Sequence, residues 1–428
     1  MSQPRATISA SRRAWWTLAV LTFVAMLDFA DRALTSAVAE PIRTEFHLTD
    51  TELGFLMGFA FALLRVVIGI PMGRLADVWQ RRNLLAAALT LWSAATVAMG
   101  FARDFLQLVI TRFLVGAGTA GSWPPALSMV ADLFPIDQRG TAMGIWNVGT
   151  VIGFSVGLGG GAVLADVYGW RIALITFGGL GVAVAIMLMI AIREPARRNA
   201  DGASVEQDTA PTVASVFRLI LRQKSLCHAI AAFSLLVLVD TSIGLWAASF
   251  FVRSHGLSVA EAGSLVAVVF VAGGIPGTFL GGHLMDRLAR RDRRWHVWSS
   301  LTVALLSAPL AVGFLLAPST YAALAVMVVH TFVWSMWYAP QTTLGTGLVT
   351  SRARAMTWAI FSIFLLVLGG GLGPQIIGVL SDAFHPTQGE HSLRYALVVV
   401  LTAQLWAAVH LFLASRTLVA DYDRVAED

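Results

Sequence analysis

Charged residues and cysteine are scarce in this chain of 428 residues. Asp, Glu, Lys and Arg make up 13% of it and hydrophobic residues 57%, and the mean hydropathy is +0.73. Because charged residues make up about 25% of a typical soluble domain, the composition excludes an ordinary soluble fold and predicts a polytopic membrane protein. The single cysteine, Cys227, excludes an intramolecular disulfide and a multi-cysteine metal site. We expect it to act as a small buried hydrophobic residue.

Lysine is almost absent, since Lys224 is the one lysine among 30 basic residues. A pI near 10 would suggest nucleic acid binding in a soluble chain, but here the arginines are sorted by membrane side. Most lie in loops on the side of the N-terminus, which is the positive-inside pattern. We therefore predict that both termini are cytoplasmic and that nucleic acid is not a partner. Arginine in place of lysine is typical of a GC-rich bacterial genome, and hence of a bacterial inner membrane protein.

Apolar runs of spanning length predict twelve transmembrane helices. These helices, α1 to α12 in chain order, fall near residues 15–39, 54–75, 84–101, 105–133, 141–165, 171–192, 226–251, 261–284, 297–316, 321–348, 355–380 and 393–414. The polar stretch 193–225 separates two sets of six. We predict an all-α membrane protein with an N-terminal six-helix bundle (1–192), a cytoplasmic linker (193–225) and a C-terminal six-helix bundle (226–428).

An internal repeat relates the two halves. The segment from Leu48 to Asp77 aligns without a gap with the segment from Leu257 to Asp286, and the same offset places Asp31 on Asp240. The two bundles are therefore predicted to be pseudo-symmetric.

Two acids and an arginine lie deep inside α1. Asp31 is roughly 24 Å along its apolar run, in a hydrocarbon core about 30 Å thick. A charge at that depth is tolerated where it faces a partner or a water-filled cavity, so we predict a polar pathway with Asp31 and Asp28 as proton-coupling residues. Helical spacing also allows a local pair between Asp28 and Arg32, which could simply neutralise itself.

Two further arginines lie inside predicted helices. Arg112 of α4 matches the depth of Asp31, so protonation of Asp31 could release Arg112; the alternative is a permanent structural bridge. Arg65 of α2 has no acid on its own helix, and its planar guanidinium could bind an anionic substrate group through two parallel hydrogen bonds. The alternative is that Arg65 pairs internally with Asp28 or Asp31.

The second half offers aromatic side chains instead of charge. Asp240 and Trp246 lie on α7, and one stripe of α10 follows helical spacing with His330, Trp334, Trp337, Tyr338 and Gln341. The stripe could line a substrate cavity or simply pack. Asp240 and His330 are either further proton sites or hydrogen-bonded core residues.

A repeated local motif follows α2 and α8. Gly73-Arg74-Leu75-Ala76-Asp77 with Arg81-Arg82 is echoed by Gly282-His283-Leu284-Met285-Asp286-Arg287 with Arg290-Arg291. Glycine permits close helix approach and the acid can pair with arginine, so we predict a breakable gating clamp; the alternative is that the arginines only fix topology. The motif resembles the G-x-L-a-D-r-x-x-r-R pattern of the major facilitator superfamily. That resemblance implies two six-helix bundles around a central cavity and alternating access.

Further motifs resemble bacterial members of the Spinster branch of that superfamily. They include Asp31-Arg32, Thr111-Arg112 with Val115-Gly116-Ala117-Gly118, Pro124-Pro125 and Ser392-Leu393-Arg394-Tyr395-Ala396-Leu397. Animal Spinster proteins move lysolipids and sphingosine phosphate, and the resemblance implies proton coupling through Asp31 and Arg112. The family's glutamate in α4 is replaced by Thr119. In α5 the spacing of Gly149, Gly153 and Gly157 predicts close helix packing, with antiport weakly suggested.

These observations predict a proton-coupled secondary transporter for an organic anion, with a lysolipid or sphingoid phosphate as an amphiphilic option. The alternative cargo is a small hydrophilic carboxylate such as a sugar acid or an aromatic acid. The predicted substrate contacts are Arg32, Arg65, Arg112, Thr119, Asp240, Trp246, His330, Trp334 and Tyr338. We expect membrane lipids, protons and the substrate as partners, a monomer, and neither a metal nor a cofactor. Scattered histidines and the lack of a nucleophile motif argue against an enzyme; a non-transporting receptor is the remaining alternative.

Overall fold

The computed structural model describes residues 11–195, 213–349 and 353–427, and all regular structure within those ranges is helical. The first six rods are α1 (Arg12–Ala37), α2 (Asp50–Gly54, Phe55–Phe59 and Ala60–Val78), α3 (Arg81–Met99), α4 (Phe105–Thr119 and Trp123–Leu133), α5 (Ile136–Tyr168) and α6 (Trp170–Ala191). The other six are α7 (Lys224–His255), α8 (Val259–Val269, Phe270–Gly274 and Ile275–Ala289), α9 (Trp295–Leu315), α10 (Thr320–Trp334, Ser335–Trp337 and Tyr338–Gly347), α11 (Arg354–Phe364, Leu365–Gly371 and Leu372–Gln388) and α12 (Ser392–Val400 and Thr402–Glu427).

Twelve rods in two sets of six match the predicted fold. Nine helical segments of the described chain are long and apolar enough to span a membrane, and the ninth joins α11 to α12. α1 and α3 are not among these nine segments. α1 carries Asp28, Asp31 and Arg32 within its apolar run, and the first turn of α3 is polar.

Several helices differ from the predicted ranges. α5 begins at Ile136 and ends at Tyr168, and α12 continues to Glu427, because helices run on past the apolar stretch once their ends are solvated. Two short helices were not predicted: Ala39–Phe46 follows α1, and Val213–Arg222 lies in the linker. The linker residues 196–212 lie outside the described part of the chain.

The ends of the rods define two faces. The start of α1 and the end of α4 share one face, where the rings of Trp15 and Phe134 are 5.0 Å apart. On the same side, Asp421 near the end of α12 accepts hydrogen bonds from Ser225 at the start of α7. We call this side the terminal face and the other side the opposite face.

Glycines bring α5 against α1. A Cβ built on Gly153 would lie 2.2 Å from the carbonyl oxygen of Met26, and one on Gly157 would lie 2.1 Å from that of Ala30. Only a residue without a side chain fits between backbones this close. The close packing predicted for this helix is confirmed.

The two halves meet at π-helical turns. One turn in α2 spans Phe55–Phe59 and one in α11 spans Leu365–Gly371. A Cβ on Gly58 would lie 2.6 Å from the carbonyl oxygen of Gly371. The wider turns are therefore located at a close approach between the backbones of the two halves, next to the charged residues of α1.

Candidate functional site

Asp31 joins α1 to two other helices of the first half. Nη1 of Arg112 lies 3.4 Å from one carboxylate oxygen of Asp31, and the hydroxyl of Thr96 donates to the other oxygen. Arg112 is buried, with 1% of its surface exposed, and its Nε and Nη2 have no hydrogen-bond partner within the described ranges. The predicted contact between Asp31 and Arg112 is present. These two nitrogens of Arg112 are therefore available to donate to another acceptor.

Asp28 turns toward α2 and α4. Its carboxylate accepts from Nη1 of Arg65 at 3.4 Å, from the hydroxyl of Ser122 at 3.1 Å and from the indole of Trp123 at 3.2 Å. The local pair between Asp28 and Arg32, which helical spacing allows, is not formed. Three donors from neighbouring helices replace the single donor that helical spacing offers. Arg65, expected to lack an acid, has one, and the alternative of internal pairing describes it correctly.

Arg32 is left without an acid. In the described part of the chain, its guanidinium has no hydrogen bond and no carboxylate at ion-pair distance. A Cβ placed on Gly370, in the π turn of α11, would lie 3.5 Å from Nη2 of Arg32. Asp28 and Asp240 interact with Arg32 only through longer-range electrostatics. The cation available to a bound anion is therefore Arg32, which projects from the first half toward the second.

A phenyl ring, that of Phe61 in α2, lies beneath all three arginines. The guanidinium carbons of Arg32, Arg65 and Arg112 lie 5.7, 5.3 and 4.8 Å from its centroid. The negative face of an aromatic ring attracts cations, so Phe61 helps to hold like charges together. Sequence reasoning missed Phe61, Thr96, Ser122 and Trp123, because a lone phenylalanine or hydroxyl in an apolar helix carries no signal of its own.

Asp240 of α7 is held by two residues of the aromatic stripe on α10. The indole of Trp334 donates to one carboxylate oxygen at 2.6 Å, and the hydroxyl of Tyr338 donates to the other at 3.0 Å. Trp337 stacks on Tyr338 with centroids 4.6 Å apart. Trp337 is buried and Tyr338 is 38% exposed, so the stripe both packs and presents a surface.

Three predicted contact residues form no hydrogen bond with the acids and arginines described above. Trp246 is fully buried and donates to the carbonyl of Pro374 at 3.1 Å. Thr119 is buried, and its hydroxyl bonds the carbonyl of Gly116. His330 is buried against Trp334 and neither ring nitrogen has a partner within the described residues. All three lie in packing positions in this conformation.

In the first copy of the gating motif, the ion pairs and hydrogen bonds all lie within the first half. Arg81 pairs with Asp132 and Glu194, and the backbone N–H of Arg82 donates to Glu194 at 2.8 Å. The side chain of Asp77 lies outside the described part. An added Cβ on Gly73 would meet no described atom within 4 Å, so the expected close helix approach is wrong there.

The second copy of the motif differs from the first in its side-chain contacts. Among the residues that the structure describes, the side chains of Asp286, Arg287 and Arg290 form no ion pair or hydrogen bond. A clamp closed in both copies is therefore not present in this conformation.

The opposite face is closed by contacts between the halves. Arg253 of α7 bonds Asp50 of α2 at 2.7 Å and Glu40 at 2.9 Å. Asp382 of α11 accepts from the backbone N–H groups of Asp50 and Thr51 at 3.0 and 2.8 Å, so a carboxylate from the second half caps a helix of the first. We call these five residues the opposite gate.

Comparison with known proteins gives consistent results. The family model of the Major Facilitator Superfamily matches residues 21–374. A protein named MFS-type efflux pump from Mycolicibacterium smegmatis is 30% identical over 427 residues, covering 97% of each chain. Protein spinster homolog 1 of Homo sapiens is 27% identical and covers 85% of this chain and 72% of its own.

A solved structure is also similar. It is a bacterial homolog of the human lysosomal transporter Spinster in an inward-facing and unoccupied conformation. The TM-score is 0.87 at 26% identity, over 96% of this chain and 99% of that one.

Proposed function

Because the chain belongs to the Major Facilitator Superfamily, we propose that it is a secondary transporter that exposes one central site to either side of the membrane in turn. Membership supports transport in general. The substrate and the coupling ion are argued below from the charged residues between the two halves.

The observation that carries the proposal is the unpaired guanidinium of Arg32. A cation in the membrane core is costly unless an anion balances it, and Arg65 and Arg112 already have Asp28 and Asp31. An organic anion bound between Arg32 and the second half supplies the missing charge. The substrate class is therefore an organic anion, bound by a charge-assisted hydrogen bond.

The apolar part of the substrate has a matching surface. Tyr338 is partly exposed beside Asp240, and Trp334 and Trp337 extend the aromatic wall. Such a wall accepts an acyl chain or a ring. The proposed substrate is therefore an amphiphile such as a lysophospholipid, and a small hydrophilic carboxylate is the alternative.

Proton coupling is assigned to Asp31. A proton on its carboxylate removes the ion pair with Arg112 and frees an arginine that already has two unused donors. Anion binding and proton uptake are thereby linked through one residue. Thr119, in place of a second carboxylate, leaves Asp31 with that role in this helix pair.

The excess of arginine in loops of the terminal face makes that face cytoplasmic in the proposed topology. The opposite gate is then the outer gate, and it is closed in the conformation described. We place the protein in a bacterial inner membrane as a monomer.

Flux into proteoliposomes tests the proposal. The full chain is reconstituted, a pH gradient is imposed, and uptake of tritiated lysophosphatidylglycerol is compared with uptake of a radiolabelled hexonate. Saturable, gradient-stimulated movement of the lysolipid is the expected result. Movement of the hexonate alone would select the small-acid alternative, and saturable binding of either probe without flux would indicate a receptor.

A further inference from the structure

We propose that the short helix Val213–Arg222, which we call the linker helix, anchors the protein to anionic phospholipid in the leaflet at the terminal face. This binding site is separate from the central cavity and does not depend on which substrate is transported. Three groups of side chains support this proposal. They lie next to one another around the ten-residue helix, and we call them its sectors.

The first sector is buried in the bundle. Val216 and Ile220 have 1% and 3% of their surface exposed, and the linker helix packs on α7 and on the first segment of α11. The thiol of Cys227, one turn into α7, donates to the carbonyl of Ile220 at 3.2 Å. The linker helix therefore lies level with the end of a spanning helix, where lipid headgroups are found.

The second sector is apolar and uncovered. Val213, Phe217 and Leu221 are 56%, 43% and 61% exposed, and the helical repeat places them in adjacent positions beside the buried sector. Large apolar side chains at this level favour the boundary between headgroups and acyl chains over water.

The third sector is basic. Arg218 and Arg222 follow the apolar sector around the helix, Lys224 comes next along the chain, and residues 213–224 include no acid. Guanidinium groups bind phosphate oxygens in pairs, and basic residues beside a bilayer favour anionic lipid. Apolar side chains directed into a bilayer with arginines at its rim fit a lipid headgroup better than a soluble protein.

The position of the linker helix connects the lipid site to the central site through α11. It packs on α11, and the π turn of that same helix faces Arg32. A lipid that holds the linker helix at the bilayer surface therefore restrains the first segment of α11, the helix that borders the central site.

The depth of the linker helix can be measured by spin labelling. A nitroxide is attached at Phe217→Cys in a Cys227→Ser background, since serine keeps a donor toward Ile220, and the full chain is placed in bilayers that contain phosphatidylglycerol. Molecular oxygen, which concentrates in the bilayer, should increase the spin relaxation rate of this label more than a water-soluble nickel chelate does. A control label at Arg291→Cys, on an exposed loop, should show the reverse order. If the two labels behave alike, the linker helix does not enter the bilayer and the proposal fails.

Lipid selectivity is measured by native mass spectrometry of the full chain with phosphatidylglycerol and phosphatidylcholine. The double variant Arg218→Gln/Arg222→Gln should lose retention of phosphatidylglycerol by about fivefold per arginine. The matched control Arg12→Gln/Arg13→Gln removes two exposed charges from the same face and should keep it. Equal retention by the two double variants would overturn the assignment of the lipid site.

Discussion

At the scale of single residues, one carboxylate connects three helices. Asp31 belongs to α1 and binds Thr96 of α3 and Arg112 of α4. Because Arg112 has no other acceptor in the described ranges, protonation of Asp31 deprives this buried guanidinium of its only bound acid. The charge of one side chain thus decides whether α1 is tied to α4 at the depth where the substrate is proposed to bind.

Asp31→Asn should uncouple transport from protons. Asparagine keeps the size and a hydrogen-bonding oxygen but cannot change charge, so gradient-driven uptake of lysophosphatidylglycerol should fall at least about tenfold, in line with about 1.5–3 kcal/mol for a charge-assisted hydrogen bond. Exchange measured without a gradient should persist. Thr96→Val, which removes only a neutral donor, serves as the milder comparison. An undiminished response to the gradient in Asp31→Asn would remove the coupling role.

The sequence predicted the Asp31 contact but misassigned the free cation. Two charged residues at equal depth on neighbouring helices are expected to meet, and Arg112 does meet Asp31. Helical spacing allowed a pair between Asp28 and Arg32, whereas Asp28 pairs with Arg65 of another helix. Which face of α1 is turned toward α2 is decided by packing of the whole bundle, so local spacing could not identify the free arginine.

At the scale of secondary-structure elements, α1 is fixed by α5. The glycines of α5 let its backbone touch that of α1 near Met26 and Ala30, directly beside Asp28 and Asp31. The orientation of the charged residues of α1 therefore depends on the glycines of α5.

Gly157→Ala should destabilise the protein, because its Cβ would meet the backbone of Ala30 at 2.1 Å. Overpacking of this kind costs about 1–3 kcal/mol, and the midpoint of thermal unfolding in detergent should fall. Gly144→Ala is the control on the same helix, where a Cβ meets no described atom within 4 Å. Equal midpoints for the two variants would contradict the packing role.

Helix number and order were predictable at this scale, whereas local irregularities were not. Apolar length and the repeat of Leu48–Asp77 in Leu257–Asp286 predicted the twelve rods. The π turns of α2 and α11 escaped prediction, because each is inserted in an uninterrupted apolar run and arises where two backbones approach.

At the scale of the whole molecule, the two halves are joined at one face by the opposite gate. Arg253 supplies the cation for Glu40 and Asp50, while Asp382 caps the start of α2. These contacts must break for the central site to open on that side. The repeat does not reproduce them, since Asp50 aligns with Val259, so the gate could not be predicted from the symmetry of the two halves.

Arg253→Gln should shift the conformational equilibrium toward opening at the opposite face. Breaking a buried pair costs about 3–5 kcal/mol in the closed state, because Asp50 loses its ion pair and Glu40 keeps only the one with Arg43. Solvation of these acids relieves that cost in the open state. Distances between spin labels placed across that face should lengthen. Arg171→Gln removes an exposed pair with Glu45 inside the first half and should leave the distances unchanged. Closed distances in Arg253→Gln would refute the gate.

Binding of tritiated lysophosphatidylglycerol to purified Arg32→Gln and Arg65→Gln tests the central claim most directly. Arg32 has no acid within the described ranges, whereas Arg65 has Asp28, so Arg32→Gln should weaken binding about tenfold or more and Arg65→Gln should weaken it less. Arg32→Lys should recover part of the affinity because it restores the charge without the planar fork. Wild-type affinity in a correctly folded Arg32→Gln, or a larger loss in Arg65→Gln, would contradict the account.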